Sequence, residues 1–460
     1  MASPARRQFA ALVGLGLLVA ACTAPTPGPS ASVVPSAPAS ASASARPAVG
    51  VVVPAPGSTS TVYEPNPSAI VVAIDPGHGG CLDWGVPDPL DRGPGFSEKT
   101  MTLAIGLELK RELEAQGITV VMTRTSDEAL AGDDYPALGC HGAPFRDVNG
   151  DGNSGFDPAG KTRTRDELQA RLDLANLARA DLLVSIHINS LTQNGQVFQI
   201  AATQTYYTDE TPWGPTATAR LAQLIQDGVV AAMDPLASYE RQDRGISAVN
   251  LYIVAPPLFV TTPDRPDPVT QPTRGALFPA ILTEVGSITL AAEQDLLLSS
   301  AGQAAAAQGI AQGLSGYFAD RPVAARYDAL VPGGAAGVLP VAQPGDGPPY
   351  WASTVTRDLL AAGLRLRLTN TGTAAWPAGL QLTAGWGTSD QPYLRAAPDS
   401  LAPLDAVVPP LAPGEAVELL VTPPAPGAGA HQILWVGLTQ GSTSLADLGS
   451  PPLQLALSDG

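Results

Sequence analysis

The decade VVAIDPGHGG, Val71 to Gly80, decides how the rest of the chain is read. Val71, Val72, Ala73 and Ile74 form an apolar run with the length and β-branched content of a strand buried on both faces. Asp75 to Gly80 then make an abrupt polar turn that carries His78. In open α/β sheets ligands and catalytic groups gather at the carboxyl ends of strands, so His78 is a candidate functional residue.

Two other stretches repeat the pattern with different chemistry at the tip. DLLVSIHINS (Asp181 to Ser190) ends in His187, and PAILTEVGS (Pro279 to Ser287) ends in Glu284. One parallel sheet would bring these side chains to a common edge. Glu98 opens the segment after the first strand, where Met101, Ile105, Leu109 and Leu113 recur every four residues and predict a helix over Glu98 to Gln116, with Gly117 as its C-cap. Seven residues before Ile105, Glu98 falls on the buried side, where an unpaired carboxylate is costly; it is expected to bind a cation. Ile118 to Thr123 and Phe198 to Tyr207 read as strands. Asp166 to Arg179 and Ala217 to Met233 read as helices, and Ala291 to Phe318 as two helices broken near Ser299 and Ser300. The order predicts an α/β fold, a mainly parallel twisted sheet with helices on both faces.

At 460 residues the chain exceeds one ordinary core and predicts two domains plus tails. Its 25 basic and 42 acidic side chains give a net charge of −17, which argues against binding driven by phosphate neutralisation, so no nucleic-acid partner is expected. Residues 1–21 read as an export signal: Arg6 and Arg7 precede an apolar run, Phe9 to Ala21, too short to span a bilayer. Leu18-Val19-Ala20-Ala21-Cys22 resembles a bacterial lipoprotein signal, which implies a lipid on Cys22. Ordinary cleavage with Cys22 incidental is the alternative, and Arg6-Arg7 with Phe9 also resembles a twin-arginine signal, leaving the export route open. Residues 22–67, rich in Pro, Ala and Ser, read as a lipidated, extended tether. An exported, lipid-anchored protein at the outer face of the cytoplasmic membrane or in the cell envelope is the expectation. Cys81 and Cys140 are then expected to form a disulfide beside the His78 turn rather than a catalytic or metal pair.

VAIDPGHGG, SEKTMTLAIGLELKRELEAQG, VVMTRTSD, ARADLLVSIHINS and PAILTEVGSIT, in this order, resemble the successive motifs of the zinc-dependent N-acetylmuramoyl-L-alanine amidases over roughly 250 residues. The resemblance implies zinc ligands at His78, Glu98 and His187 and a catalytic acid at Glu284. It implies as substrate peptidoglycan, cut at the amide between the muramic acid lactyl group and L-alanine. Two imidazoles and a carboxylate leave a fourth position open, as catalytic zinc sites require. Taken singly, either histidine reads as a strand-end residue satisfied by backbone, and Glu284 as a salt-bridge partner; together they read as a metal site. A non-catalytic wall-binding protein and a zinc peptidase acting on another wall peptide bond are the alternatives. Ile188 and Ser287 depart from the family's usual residues and are expected to touch the pocket walls. Ile188 to Thr218 is too short and polar for the inhibitory helix that some family members insert there.

DVNGDGNSGFD places Asp147, Asn149, Asp151, Asn153 and Asp157 in a spacing like the first half of a calcium loop, without the usual Glu at the twelfth position. Ca²⁺ is thus a second candidate cation, and a plain Asx-rich turn the other reading. His141 reads as a loop histidine and Ala255 to Gly275 as a rim loop. Residues 68–321 are assigned to the amidase domain, 322–349 to a linker and 350–458 to a small β-sandwich. LTNTGTAAWPAGLQL, PPLAPGEAVELLV and ILWVGL resemble the immunoglobulin-like domain first described in the autophagy receptor next to BRCA1, with Trp376 and Trp435 as core anchors. No partner for that domain is legible.

Overall fold

The computed structural model describes residues 62–63, 70–148, 154, 165–193, 196–210, 215–256, 275–330, 341–342, 352–389, 398–429 and 431–458. The export signal, Cys22, and Asn149, Asp151, Asn153 and Asp157 of the calcium reading lie outside them, while Asp147 lies inside.

The first structural unit is a mixed α/β layer. Its elements are β1 (Val71–Pro76), α1 (Glu98–Ala115), β2 (Thr119–Met122), α2 (Arg165–Leu177), β3 (Leu182–Asn189), β4 (Ala201–Tyr207), α3 (Pro215–Met233), β5 (Arg241–Ala248), β6 (Ala280–Ser287), α4 (Ala291–Leu298) and α5 (Ser300–Ala319). The six strands lie in the order β2-β1-β3-β6-β4-β5. Neighbours run parallel except β4 against β6. A parallel return needs a crossover of a dozen or more residues, usually helical, and only residues 190–200 separate β3 from β4, so the chain comes back in the opposite sense.

Alternation along each strand divides the core. Val72, Ile74, Val184, Ile186, Ile281 and Val285 pack against α1, α3 and α5 through Ile105, Leu109, Ile225 and Ile310. Val71, Ala73, Leu183 and Leu282 pack against Leu172 and Ala175 of α2 on the other face. One expectation fails on this parity and a second on burial. Ile188, adjacent to His187, points the opposite way and is only 1% exposed in the core with α1, and Ser287 is fully buried against Thr289. Neither side chain forms a pocket wall.

The expected linker also contains a strand. Only Asp320–Ala324 separates α5 from β7 (Ala325–Ala329), which pairs antiparallel with β8 (Leu364–Asn370). Ala325, Tyr327 and Ala329 alternate inward, and the Tyr327 hydroxyl accepts the Leu438 N–H at 3.0 Å. Further strands are β9 (Leu380–Ser389), β10 (Ala416–Val421), β11 (His431–Gln440) and β12 (Leu453–Leu457). Val62–Tyr63, β10, β8 and β7 make one sheet; β12, β11 and β9 lie at the centre of another. Leu366, Leu368 and Val417 of the first share an apolar cluster with Leu382, Leu434 and Leu455 of the second, and Trp376 joins it with its Nε1 donating to the Ala324 carbonyl.

Polar contacts join this region to the α/β layer. Arg179, just past α2, places Nη1 2.9 Å from Asp328 Oδ1 and donates from Nη2 to the Tyr327 carbonyl at 2.8 Å. Arg321 lies over the Tyr317 ring and donates to the Gly449 carbonyl at 3.0 Å. Among the described residues, no helix is long and apolar enough to cross a membrane.

Candidate metal centre and active site

Glu98, the first residue of α1, is buried, and each of its oxygens is held by a backbone N–H. Oε1 accepts from Ile188 N at 2.8 Å and lies 3.0 Å from His187 Nδ1. Oε2 accepts from Val86 N at 2.8 Å and lies 3.2 Å from His78 Nε2. The carboxylate thus sits between two imidazoles whose rings are 4.8 Å apart and nearly perpendicular, at 79°. One ligand atom from each of His78, Glu98 and His187 falls within 4.8 Å of the others, the only such grouping among the described residues. These side chains come from the turn after β1, the start of α1 and the end of β3.

The backbone around them leaves no slack. His78 adopts φ +63°, the left-handed region that most side chains avoid. A Cβ at Gly77 would stand 2.4 Å from His187 Nε2, and one at Gly85 (φ +67°) the same distance from Glu98 Oε2, so both glycines are required by contact with the metal-binding candidates.

Groups outside the predicted set hold this turn. Asp83 Oδ1 lies 2.7 Å from His78 Nδ1; burial alone would raise its carboxyl, but the charge and hydrogen bond of His78 outweigh that and hold it at about 2. Burial likewise opposes charge on His78, yet Asp83 and Glu98 push its pKa well above the usual histidine value. Positive charge is therefore favoured where the three side chains converge, and that is what a cation site needs. Arg171, 1% exposed, donates from Nη1 to Asp75 Oδ1 and the Pro76 carbonyl and from Nη2 to the His78 carbonyl and Glu167. Arg124, equally buried, donates to the carbonyls of Pro76, Gly77 and Lys99. Two guanidinium groups thus clamp successive carbonyls of the DPGH turn.

Glu284 is the direct register partner of His187 across the β3/β6 pair. It is half-buried, and its Oε2 is buried with no hydrogen-bond partner among the described residues. Burial and then the Glu98 charge raise its pKa well above the carboxylate range, with His78 opposing. An orphaned, electrostatically lifted carboxyl facing a convergent ligand set has the character of a proton-transfer group.

Cys81 and Cys140 are bonded, with Cα atoms 5.7 Å apart. The bridge fixes the root of the loop that delivers Asp83 and the Val86 N–H to the site.

Sequence reasoning passed over Asp83, Arg124 and Arg171. Arg171 with Glu167 reads as an ordinary i,i+4 surface pair on a helix. Its signal was its position beside Leu172, on the face turned to the sheet.

A family model for N-acetylmuramoyl-L-alanine amidase matches residues 72–316, more than half of the chain. The germination-specific N-acetylmuramoyl-L-alanine amidase of Bacillus subtilis is 26% identical over 255 residues, 55% of this chain and 82% of that protein. The sporulation-specific N-acetylmuramoyl-L-alanine amidase of the same organism is 27% identical over 251 residues, 54% of this chain and 68% of its own length. Among solved structures, an N-acetylmuramoyl-L-alanine amidase from Clostridium difficile 630 is 26% identical, with 54% of this chain and 97% of that one covered and a TM-score of 0.36.

Proposed function

The chain belongs to the N-acetylmuramoyl-L-alanine amidase family, and on that premise we propose that it is a zinc-dependent peptidoglycan hydrolase that cuts the lactyl-to-L-alanine amide with His78, Glu98 and His187 as metal ligands and Glu284 as acid and base. The observation that carries this reading is the convergence of the three ligand atoms within 4.8 Å, with Glu284 on the neighbouring strand in register with His187. The donor set fits Zn²⁺: two imidazole nitrogens and one carboxylate oxygen, with positive charge favoured between them.

When bound, zinc supplies Lewis acidity, polarising the scissile carbonyl and making water acidic near neutral pH. The protein's own groups do the rest. Asp83 fixes the His78 ring through Nδ1 and leaves Nε2 free to face Glu98. Glu284 Oε2, unpartnered among the described residues, takes a proton from the attacking water and passes it to the departing alanine nitrogen.

Lipidation of Cys22 and a tether shortened to residues 22–61, because Val62–Tyr63 pairs with β10, would place this hydrolase outside the cytoplasmic membrane, within reach of the wall. The C-terminal strands are read as an immunoglobulin-like sandwich serving as a spacer or adhesion module. Their two sheets around one apolar cluster support that reading.

Digestion of purified peptidoglycan, with products identified by mass, tests the proposal. New L-alanine N-termini are expected. Cuts within the stem peptide would indicate a peptidase, and no products at all a wall-binding protein.

A further inference from the structure

The strand registers place four side chains in one line across the sheet. His187 of β3 pairs with Glu284 of β6, and Glu284 pairs with Gln204 of β4. Opposite Gln204 the β4/β5 register slips: Thr203 pairs with Asp243 and Thr205 with Ile246, leaving Arg244 and Gly245 against a single residue. Gly245 takes φ +65°, as a bulge residue does. Asp243 turns to the α3 side, where its Oδ1 accepts from Gln226 at 2.6 Å, and Ile246 packs on that side too. Arg244 therefore projects from the Glu284 face, on the edge strand β5, level with the acid.

Two features mark that end of the line as made for a ligand. Gln204 is held in one orientation, its amide donating to Ser247 Oγ at 3.0 Å and its carbonyl accepting from Tyr206 OH at 3.0 Å. Arg244, by contrast, is exposed and makes no ion pair or hydrogen bond with any described residue, whereas its neighbour Arg241 is fully engaged by Asp234 and Glu293. Burial and then the Glu284 charge raise the pKa of Tyr206, with Arg244 opposing.

We infer that Arg244 is a specificity-determining residue that receives a free carboxylate on the substrate's peptide, close to the bond that is cut. Two strand spacings of about 4.8 Å separate β6 from β5, so the cation stands about 10 Å from the acid along the sheet. In an extended peptide the residue after alanine carries its carboxylate about two Cα steps of ~3.8 Å from the muramoyl carbonyl, within reach of a guanidinium at that distance. A carboxylate several residues further on would overshoot it. Guanidinium and carboxylate match as a two-pronged pair, and a neutral carboxamide does not.

This inference rests on the amidase reading, and the experiment separates the two. N-Acetylmuramoyl-L-alanyl-D-isoglutamate and its isoglutamine counterpart are offered to the zinc-loaded full-length protein, to Arg244→Gln and to Arg244→Lys. The wild type is expected to favour the acid about tenfold in kcat/KM, mostly through KM; Arg244→Gln erases the preference and Arg244→Lys keeps part of it. Equal ratios in wild type and Arg244→Gln overturn the subsite while leaving the amidase intact. If the wild type leaves both compounds uncut, the amidase reading falls and this inference with it.

Discussion

Glu284 stands directly opposite His187 on adjacent parallel strands, and its buried Oε2 has no hydrogen-bond partner among the described residues. In the proposed mechanism a group so placed moves protons without holding the metal. Glu284→Gln is therefore expected to keep about one zinc per chain by elemental analysis while turnover falls by about 10²–10⁴, the usual share of general acid–base catalysis. Loss of metal together with activity would make Glu284 a ligand instead.

Gly77 has no room for a methyl group, because a Cβ there would meet His187 Nε2 at 2.4 Å and Cε1 at 2.5 Å. Gly77→Ala must push the imidazole aside. The expected result is a protein with wild-type far-ultraviolet circular dichroism, depleted zinc and activity at least about 100-fold lower, the scale on which a ~1 Å misplacement acts.

Arg171 is buried between Asp75, Glu167 and the carbonyls of Pro76 and His78. Arg171→Met strips Asp75 of its buried countercharge and the His78 carbonyl of its guanidinium donor, at a cost of about 3–5 kcal/mol. Thr123 and Ser185 still donate to Asp75, and Arg124 to the Pro76 carbonyl. Thermal unfolding should fall by about 10 °C for a domain of this size. A zinc affinity lower by about 10–100-fold should accompany it, because the clamp orients the His78 backbone.

The Cys81–Cys140 bridge closes a loop spanning 59 positions, for which chain entropy gives about 4 kcal/mol. Dithiothreitol should lower the melting temperature of the wild type but leave that of the Cys81→Ser, Cys140→Ser double variant unchanged. Equal sensitivity of the two would show that the bridge contributes nothing.

Asp181 accepts the Val71 N–H at 2.7 Å from a half-buried position, and loss of solvent raises its pKa above the usual aspartate value, with Arg326 opposing. An acid lifted on folding binds its proton more tightly in the native state. Its contribution to stability is therefore complete below the unfolded value and is lost as pH rises through the folded one. Asn keeps the acceptor and removes the charge. The melting temperature of Asp181→Asn relative to wild type should thus improve between about pH 4 and pH 7. A flat difference would refute the shift.

The strand tips were legible because an apolar run broken by His or Glu is a local signal, and His78, His187 and Glu284 each carry one. Glu98 was legible from helical period alone. What supports them was not. Asp83 lies in a loop without periodicity, and Arg124 and Arg171 owe their roles to carbonyls that sequence does not mark. Ile188 was misplaced because a shift of one residue along a strand reverses the face, and Ser287 because the register slip beyond Glu284 and its burial against Thr289 depend on pairing that sequence does not mark. β7 was hidden in a Pro/Ala/Gly-rich stretch where only Tyr327 suggests burial. The slip at Arg244 and Gly245 depends on pairing with a strand distant in the chain, which no local pattern encodes.

The passage from α5 into β7 through Asp320–Ala324, secured by Arg179 and Arg321, has a mechanical outcome. A catalytic head mounted so closely has little room to swivel on the strands behind it. If those strands serve the proposed adhesion role, the surface they hold will also set the heading from which a glycan chain arrives at His187.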